Sequence, residues 1–355
     1  MIKGPGYSGP FSVMWVAYMG EKKVSIVDVA KAAGVSTATV SRVVNRLGGY
    51  SEKTEKRVQE TIKACGFRPN VNAIGLRTKK SRSVGVIVPD ITNEFFAKIV
   101  RALDVFFSQY NYSVLICNSN DDPILEEQRV QDMLDKNIDG LIYVSGMENI
   151  STLLEKENIP TVFIDRLPHN AEWSVQSDNY QGGYLAGKEL CEQGCEKPLL
   201  IYDCELPSSI QERKRGFLAA LAEFGRSCEG DYLVPCFAGY QETKEMVSKL
   251  LNERGCYFDG VFATNDIMAL GTMHSVIKAG YSIPEQVKLV GFDNVSISQI
   301  CRLPMTTIAQ NTDQLALAAG ETLLKLIRKE HIEKKACIVP VHLEVRGTTR
   351  TMNPF

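Results

Sequence analysis

From Val84 to Gln310, short apolar runs alternate with amphipathic stretches, and this alternation admits few architectures. SVGVIVP, YSVLIC, DGLIYVSG and PTVFID have strand length and are rich in β-branched residues. Helical stretches such as Phe95–Tyr110 and Leu125–Lys136 separate them. Strands that are apolar throughout must be covered on both faces, which calls for a parallel sheet between helices. The pattern restarts after Asp178 with PLLIYD, GVFAT and VKLVGFD. The expectation is an α/β fold in two halves of roughly a hundred residues each. In such folds ligands bind beyond the C-terminal ends of the strands, so the cleft between the halves is the expected site.

A different texture precedes this body. VSIVDVAKAAGVSTATVSRVVN, Val24 to Asn45, reads as two short helices joined by a tight turn. Ile26, Val29, Ala30 and Ala33 recur at helical spacing, and Gly34 breaks the pattern. Val35 plugs the crossing, and Ser36 stands where an N-cap belongs. Val40, Val43 and Val44 form the second inward face, leaving Thr37, Ala38, Ser41 and Arg42 outward. That is the layout of a helix-turn-helix, whose second helix enters the DNA major groove. Ser51 can cap a third helix to about Cys65, with Gly66 as its stop.

Charge divides along the same boundary. Residues 21–80 carry 13 Lys+Arg against 5 Asp+Glu, while residues 81–355 carry 26 against 37, within a net charge of −2. A basic head on an acidic body suits phosphate contact by the head and repulsion of DNA by the body. The ten cysteines form no Cys-x-x-Cys, and the four histidines show no metal-ligand spacing. Reduced thiols in a cytoplasmic protein are expected, with no metal and no cofactor. The apolar run Phe11 to Met19 is too short to span a bilayer. Residues 1–22 are expected to be a disordered extension, or else translation starts at Met19 and residues 1–18 are not made.

Gly182-Gly183-Tyr184-Leu185-Ala186-Gly187-Lys188 satisfies G-x-x-x-x-G-K, yet Glu189 replaces the Ser or Thr that magnesium needs. No buried strand precedes it, so it reads as a helix-packing element. The informative polar residues stand at strand ends: Asn93 with Phe95 and Phe96, Asp165-Arg166, Asn265, Phe292-Asp293 and Gln310, together with Arg213. Carboxylates and guanidinium groups bond hydroxyl pairs in fixed directions, and aromatic faces cover the C–H surfaces of a sugar ring. With no nucleophile-base pair in view, binding is expected and catalysis is not.

On these residues the chain resembles the LacI/GalR family of transcription regulators, from about Val24 to Arg350. DVAKAAGVSTATVSRVVN carries the head, and Arg68-Pro69-Asn70 through Leu76 resembles the family's hinge helix. Ala73-Ile74-Gly75 departs from the family pattern, which has a basic residue there. The resemblance implies a three-helix DNA-binding domain at 23–68, a hinge helix and linker at 69–83, and a periplasmic-binding-protein-like core at 84–350. The core's N-subdomain is expected at about 84–178 and 311–338, its C-subdomain at about 179–309 and 339–350, with a tail at 351–355. The implied DNA contacts are Ser36, Thr37, Ala38, Thr39, Ser41, Arg42, Asn45, Asn70, Ala73 and Leu76. Thr37 and Ala38 are the base readers, and Leu76 is the minor-groove wedge.

The implied ligand positions are Asn93, Phe95, Phe96, Asp165, Arg166, Arg213, Asn265, Phe292, Asp293 and Gln310, with Tyr240 as an aromatic lid. The set is similar to that of ribose repressors and ribose-binding proteins, although one polar position has no match at Val144-Ser145. The partners implied are double-stranded operator DNA, a sugar effector and a second copy of the chain, with no membrane. A dimer is implied because no heptad tail follows Arg350. A periplasmic sugar-binding protein would share the core but lack the basic head. A sugar acid or a phosphoprotein could replace the sugar within the family.

Overall fold

A computed structural model of the chain describes residues 24–45, 47–67, 81–144, 154, 156–169 and 171–350. The chain forms two compact units, Met1–Ser81 and Arg82–Phe355.

The first unit contains α1 (Ile26–Ala33), α2 (Thr37–Val44) and α3 (Glu52–Cys65). Ser25 and Asp28 cap α1 reciprocally, and Gly34 ends it at φ 62°, a left-handed conformation that glycine adopts without a Cβ clash. Ser36 and Ser51 cap the next two helices, and Gly66 closes α3 at φ 62°. Val29, Ala30, Ala33, Val40, Val43 and Val58 make the shared core. Ile26, Val35, Ile62 and Phe67, partly buried, pack against it.

The second unit opens with β1 (Ser83–Val88), α4 (Glu94–Ser108), β2 (Ser113–Asn118), α5 (Pro123–Asp135), β3 (Gly140–Tyr143), β4 (Thr161–Ile164) and β5 (Ser174–Ser177). The chain then enters a second lobe of α6 (Asn179–Glu192), β6 (Pro198–Asp203), α7 (Ser208–Glu223), β7 (Leu233–Cys236), α8 (Tyr240–Arg254), β8 (Gly260–Ala263), α9 (Asp266–Lys278), β9 (Lys288–Asp293), α10 (Ser296–Ile300) and β10 (Thr306–Ala309). It returns for α11 (Thr312–Arg328) and β11 (Ala336–Val339), and crosses a third time for β12 (His342–Glu344). Strand order is β11-β5-β4-β3-β1-β2 in one sheet and β12-β10-β9-β8-β6-β7 in the other. All pairings are parallel except β10 with β12. This is the α/β architecture of two parallel-sheet lobes expected from the alternating pattern. Ser83, read as linker, already pairs with Ser113, and Val339, read as second-lobe, pairs with Ser177 in the first sheet.

The G-x-x-x-x-G-K segment lies inside α6 and packs against α7. A Cβ on Gly183 would overlap the backbone carbonyl of Arg213, and one on Gly216 would overlap that of Tyr180. These two glycines let the helix backbones touch, which fixes where Arg213 enters the space between the lobes. Among the described residues no helix is long and apolar enough to cross a membrane.

Candidate functional site

Strand ends of both lobes converge on one cleft. From the first lobe come Asp90 after β1, the N-terminus of α4, Asp121 after β2, and Asp165-Arg166 after β4. From the second come Asp203 at the end of β6, Asn265 after β8, and Asp293 at the end of β9, with Ser209 and Arg213 on α7. Asn93 caps α4, its side-chain Oδ1 accepting from Phe95 N–H at 3.0 Å. Phe95 and Phe96 behind it are buried, edge to face at 5.3 Å.

Arg213 organises the centre and is only 4 % exposed. Its Nε donates to Asn179 Oδ1 at 2.8 Å and its Nη1 to the Thr264 carbonyl at 2.7 Å. Asp293 Oδ1 stands 3.6 Å from Nη1, and Asp165 Oδ2 stands 3.8 Å from Nη2. The guanidinium carbon lies 3.6 Å from the centre of the Phe292 ring. A planar fork with five donors can hold all these partners at once, which an ammonium could not. Asn179 completes the circuit by donating to Asp165 Oδ1 at 3.1 Å. Asp165 itself has φ 62°, so the chain turns sharply as it leaves β4 and presents the carboxylate inward. Arg166 pairs with Asp121 at 2.6 Å and lies 5.7 Å from the Phe96 ring centre.

Burial pushes the Asp293 carboxyl up to about 7, with Asp165 adding to the shift and Arg213 and the Gln310 amide opposing it. Asp203 is also raised by burial, opposed by the Glu205 N–H and by Arg166. In the unfolded chain Asp293 ionises near its ordinary 3.8, whereas in the fold it keeps its proton to about 7. The native state therefore binds more protons between those values, and stability falls as pH rises through that window. For Asp293→Asn the melting temperature, measured against wild type, should rise steadily from pH 4 to 7 and then level off. A difference that is flat with pH would remove Asp293 as the source.

The cleft brings together Asn93, Phe95, Phe96, Asp165, Arg166, Arg213, Asn265 and Asp293. Three expected members stand elsewhere. Phe292 is fully buried beneath Arg213, so its ring supports the guanidinium and is not part of the cleft lining. Tyr240 begins α8 and gives its hydroxyl to His274 Nδ1 at 2.6 Å, away from the cleft lining. Beside Ala238, which does line the cleft, the aromatic is Phe237, 62 % exposed. Gln310 reaches the cleft only through Asp293, to which its Nε2 donates at 2.7 Å. Asn179, Asp121 and Asp203 belong to the site without having been among the expected residues. Asp203 carried the same strand-end signal as the others, because PLLIYD ends on it. Asn179 carried none, because β5, just before it, reads SVQS and has no apolar run.

In the first unit Thr37 and Ala38 are exposed on α2. The Ser36 hydroxyl accepts from Thr39 N–H at 3.0 Å and bonds its hydroxyl at 2.9 Å. Asn45 turns back on its own helix, donating to the Ser41 carbonyl at 2.7 Å. The Arg42 guanidinium lies against the backbone of Gly49. Asn70, Ala73 and Leu76 lie outside the described residues.

Among the described residues the cleft lining contains no histidine, cysteine or lysine, and Asp121, Asp165 and Asp293 are engaged with its two arginines. Such a set orients hydroxyl groups and offers no activated nucleophile. Among the described residues no group of three or more metal-binding side chains gathers.

Two family matches span the chain. Residues 25–70 match the bacterial regulatory proteins of the lacI family. Residues 81–346 match the periplasmic binding proteins and sugar binding domain of the LacI family. Catabolite control protein A of Priestia megaterium is 33 % identical over 331 residues, 92 % of this chain and 99 % of that protein. The ribose operon repressor of Lactococcus lactis subsp. lactis (strain IL1403) is 31 % identical over 326 residues, 92 % and 98 % of the two chains. The lac repressor dimer bound to operator and the anti-inducer ONPF is similar at a TM-score of 0.85 and 26 % identity, covering 92 % of this chain and 99 % of that one.

Proposed function

The chain belongs to the LacI family of transcriptional regulators, which are DNA-binding proteins and not enzymes, and from this we propose that it represses carbohydrate-utilisation genes. It binds a palindromic operator as a dimer, and a monosaccharide in the cleft between its lobes releases it. Two heads related by a two-fold axis read the two half-sites. Thr37 and Ala38 are the base readers, with Ala38 against a thymine methyl; Arg42 bonds a guanine or a phosphate. Ser36, Thr39, Ser41 and Asn45 act on the DNA backbone, which sets position and not sequence.

The observation that carries the effector reading is the fixation of Arg213 among Asp165, Asp293 and Asn179. Rigid donors and acceptors at the meeting of two lobes suit a ligand bearing several hydroxyls. Ribose is the first candidate, because the ribose operon repressor is among the relatives most similar to the chain. A sugar acid is disfavoured: both cleft arginines are already paired with carboxylates, and the lining carries five aspartates against them. Closure of the lobes on the sugar couples to the hinges by about 1–3 kcal/mol, the usual size of an allosteric coupling.

Fluorescence anisotropy on a duplex from upstream of the chain's own gene, with and without monosaccharides, tests the proposal. Tight, competitor-resistant binding reversed by one sugar is the expected result. Binding indifferent to every sugar points to a phosphoprotein corepressor. Leu76→Ala should weaken operator binding far more than binding to random DNA, because a kinking wedge contributes only where the DNA is deformed. Equal losses on both duplexes would remove Leu76 from that role.

A further inference from the structure

Glu94 stands between Asn93 and Phe95, which both line the cleft, yet it is not part of the lining itself. Its carboxylate crosses to the second lobe instead. Oε2 accepts the Ser296 N–H at 2.8 Å, and Oε1 accepts the Ser296 hydroxyl at 2.6 Å. Lys98 Nζ stands 2.7 Å from the same Oε1. The neighbours of Ser296 make the same crossing: Val295 is buried in the hydrophobic core of the first lobe, and Ile297 packs against that core. A charged tie thus sits on an apolar seat. The lobes are linked again where the Leu167 N–H, next to Arg166, donates to Ser208 Oγ at 2.7 Å, next to Ser209.

Ser296 follows closely on Asp293, and the turn between them is held stiff. Asp293 and Asn294 both have positive φ, 106° and 54°, which non-glycine residues keep only where their surroundings impose it. Here Asp266 Oδ2 accepts the Val295 N–H at 2.9 Å, and Arg346 Nη2 donates to Asn294 Oδ1 at 2.7 Å. The tie therefore fixes the spacing between the first-lobe cleft residues on α4 and Asp293 of the second lobe. A ligand held from two lobes binds more tightly when they already stand at the right spacing, because less freedom is lost on binding. We propose, on the reading of the cleft as the sugar-effector site, that Glu94 is a positioning residue for the effector. Its bonds to Ser296 hold Asn93, Phe95 and Phe96 in register with Asp293, and it sets effector affinity without touching the ligand.

Isothermal titration of the full chain with D-ribose, D-glucose, D-galactose and D-mannose tests this in wild type, Glu94→Ala, Ser296→Ala, the double variant and Ser296→Thr. For the sugar that wild type binds best, Glu94→Ala should weaken binding about 10-fold, near the low end of conformational couplings because its side chain is 34 % exposed. Ser296→Ala keeps its N–H and should lose about 3-fold, the size of one exposed contact. The double variant should bind no more weakly than Glu94→Ala, since both changes break one contact. Ser296→Thr keeps both donors and should bind as wild type does. Melting temperatures should stay within about 4 °C of wild type, which separates lost affinity from lost folding. Wild-type affinity in Glu94→Ala, or additive losses in the double variant, overturns the proposal and leaves the sugar-effector reading standing. Operator binding with no affinity for any of these sugars overturns both. Should Glu94→Ala fail to fold, Ser296→Ala against Ser296→Thr still decides.

Discussion

Arg213→Ala should abolish the effector response and destabilise the Arg82–Phe355 unit by about 3–5 kcal/mol, the cost of breaking a buried ion pair from one side. The side chain is 4 % exposed and bonds Asn179 and the Thr264 carbonyl while facing Asp165 and Asp293. Truncation leaves the Asp165 and Asp293 carboxyl groups buried with no cation between them. It also opens a void over the Phe292 ring. Lysine should not rescue the response, because one ammonium cannot reproduce donation to Asn179 and Thr264 from a fixed plane that also faces two carboxyl groups. Urea unfolding gives the stability, and operator anisotropy with the cognate sugar gives the response. A variant within 1 kcal/mol of wild type in stability, on the scale of an ordinary exposed pair, would show that Arg213 is not the centre of the cleft.

Gly183→Val should cost about 3 kcal/mol or more, at or beyond the upper end for overpacking. The obstacle is backbone: a Cβ at this position overlaps the Arg213 carbonyl, which cannot rotate away as a side chain would. α6 and α7 must separate, and Arg213 moves with them. Thermal unfolding should show the loss, and effector affinity should fall with it although residue 183 touches no ligand. Gly216→Val, the reciprocal position against the Tyr180 carbonyl, should behave alike. Wild-type stability in either variant would mean that the two helices are not in backbone contact.

Much of the fold was legible because its signals are local. Ser36, Ser51 and Gly66 cap or close helices through atoms no more than four residues away, and all three do so in the structure. Apolar runs such as SVGVIV and PLLIYD became central strands because a strand covered on both faces has no alternation to obscure it. β5 was missed because SVQS is polar, although three of its four residues are buried. It is stabilised by pairing with β4 and with β11, which is more than 150 residues away in the chain.

The cleft divides the same way. That carboxylates, amides and guanidinium groups would stand at strand ends was written in the sequence, since strand and end are both local properties. Which of them face the ligand was not. Phe292 and Asp293 are neighbours, yet the pleat sends one ring under Arg213 and the other side chain into the cleft. Tyr240 had the right chemistry for a lid but found His274 on the adjacent helix. Asp203 looked like any other strand-end aspartate, and only the assembled lobes place it in the cleft lining. The sequence by itself determined the apolar strands, the capped helices, their order and the family. The tertiary structure alone decided which charges are already paired, because those partners lie tens of residues apart in the chain and meet only after the strands take their order in the sheets.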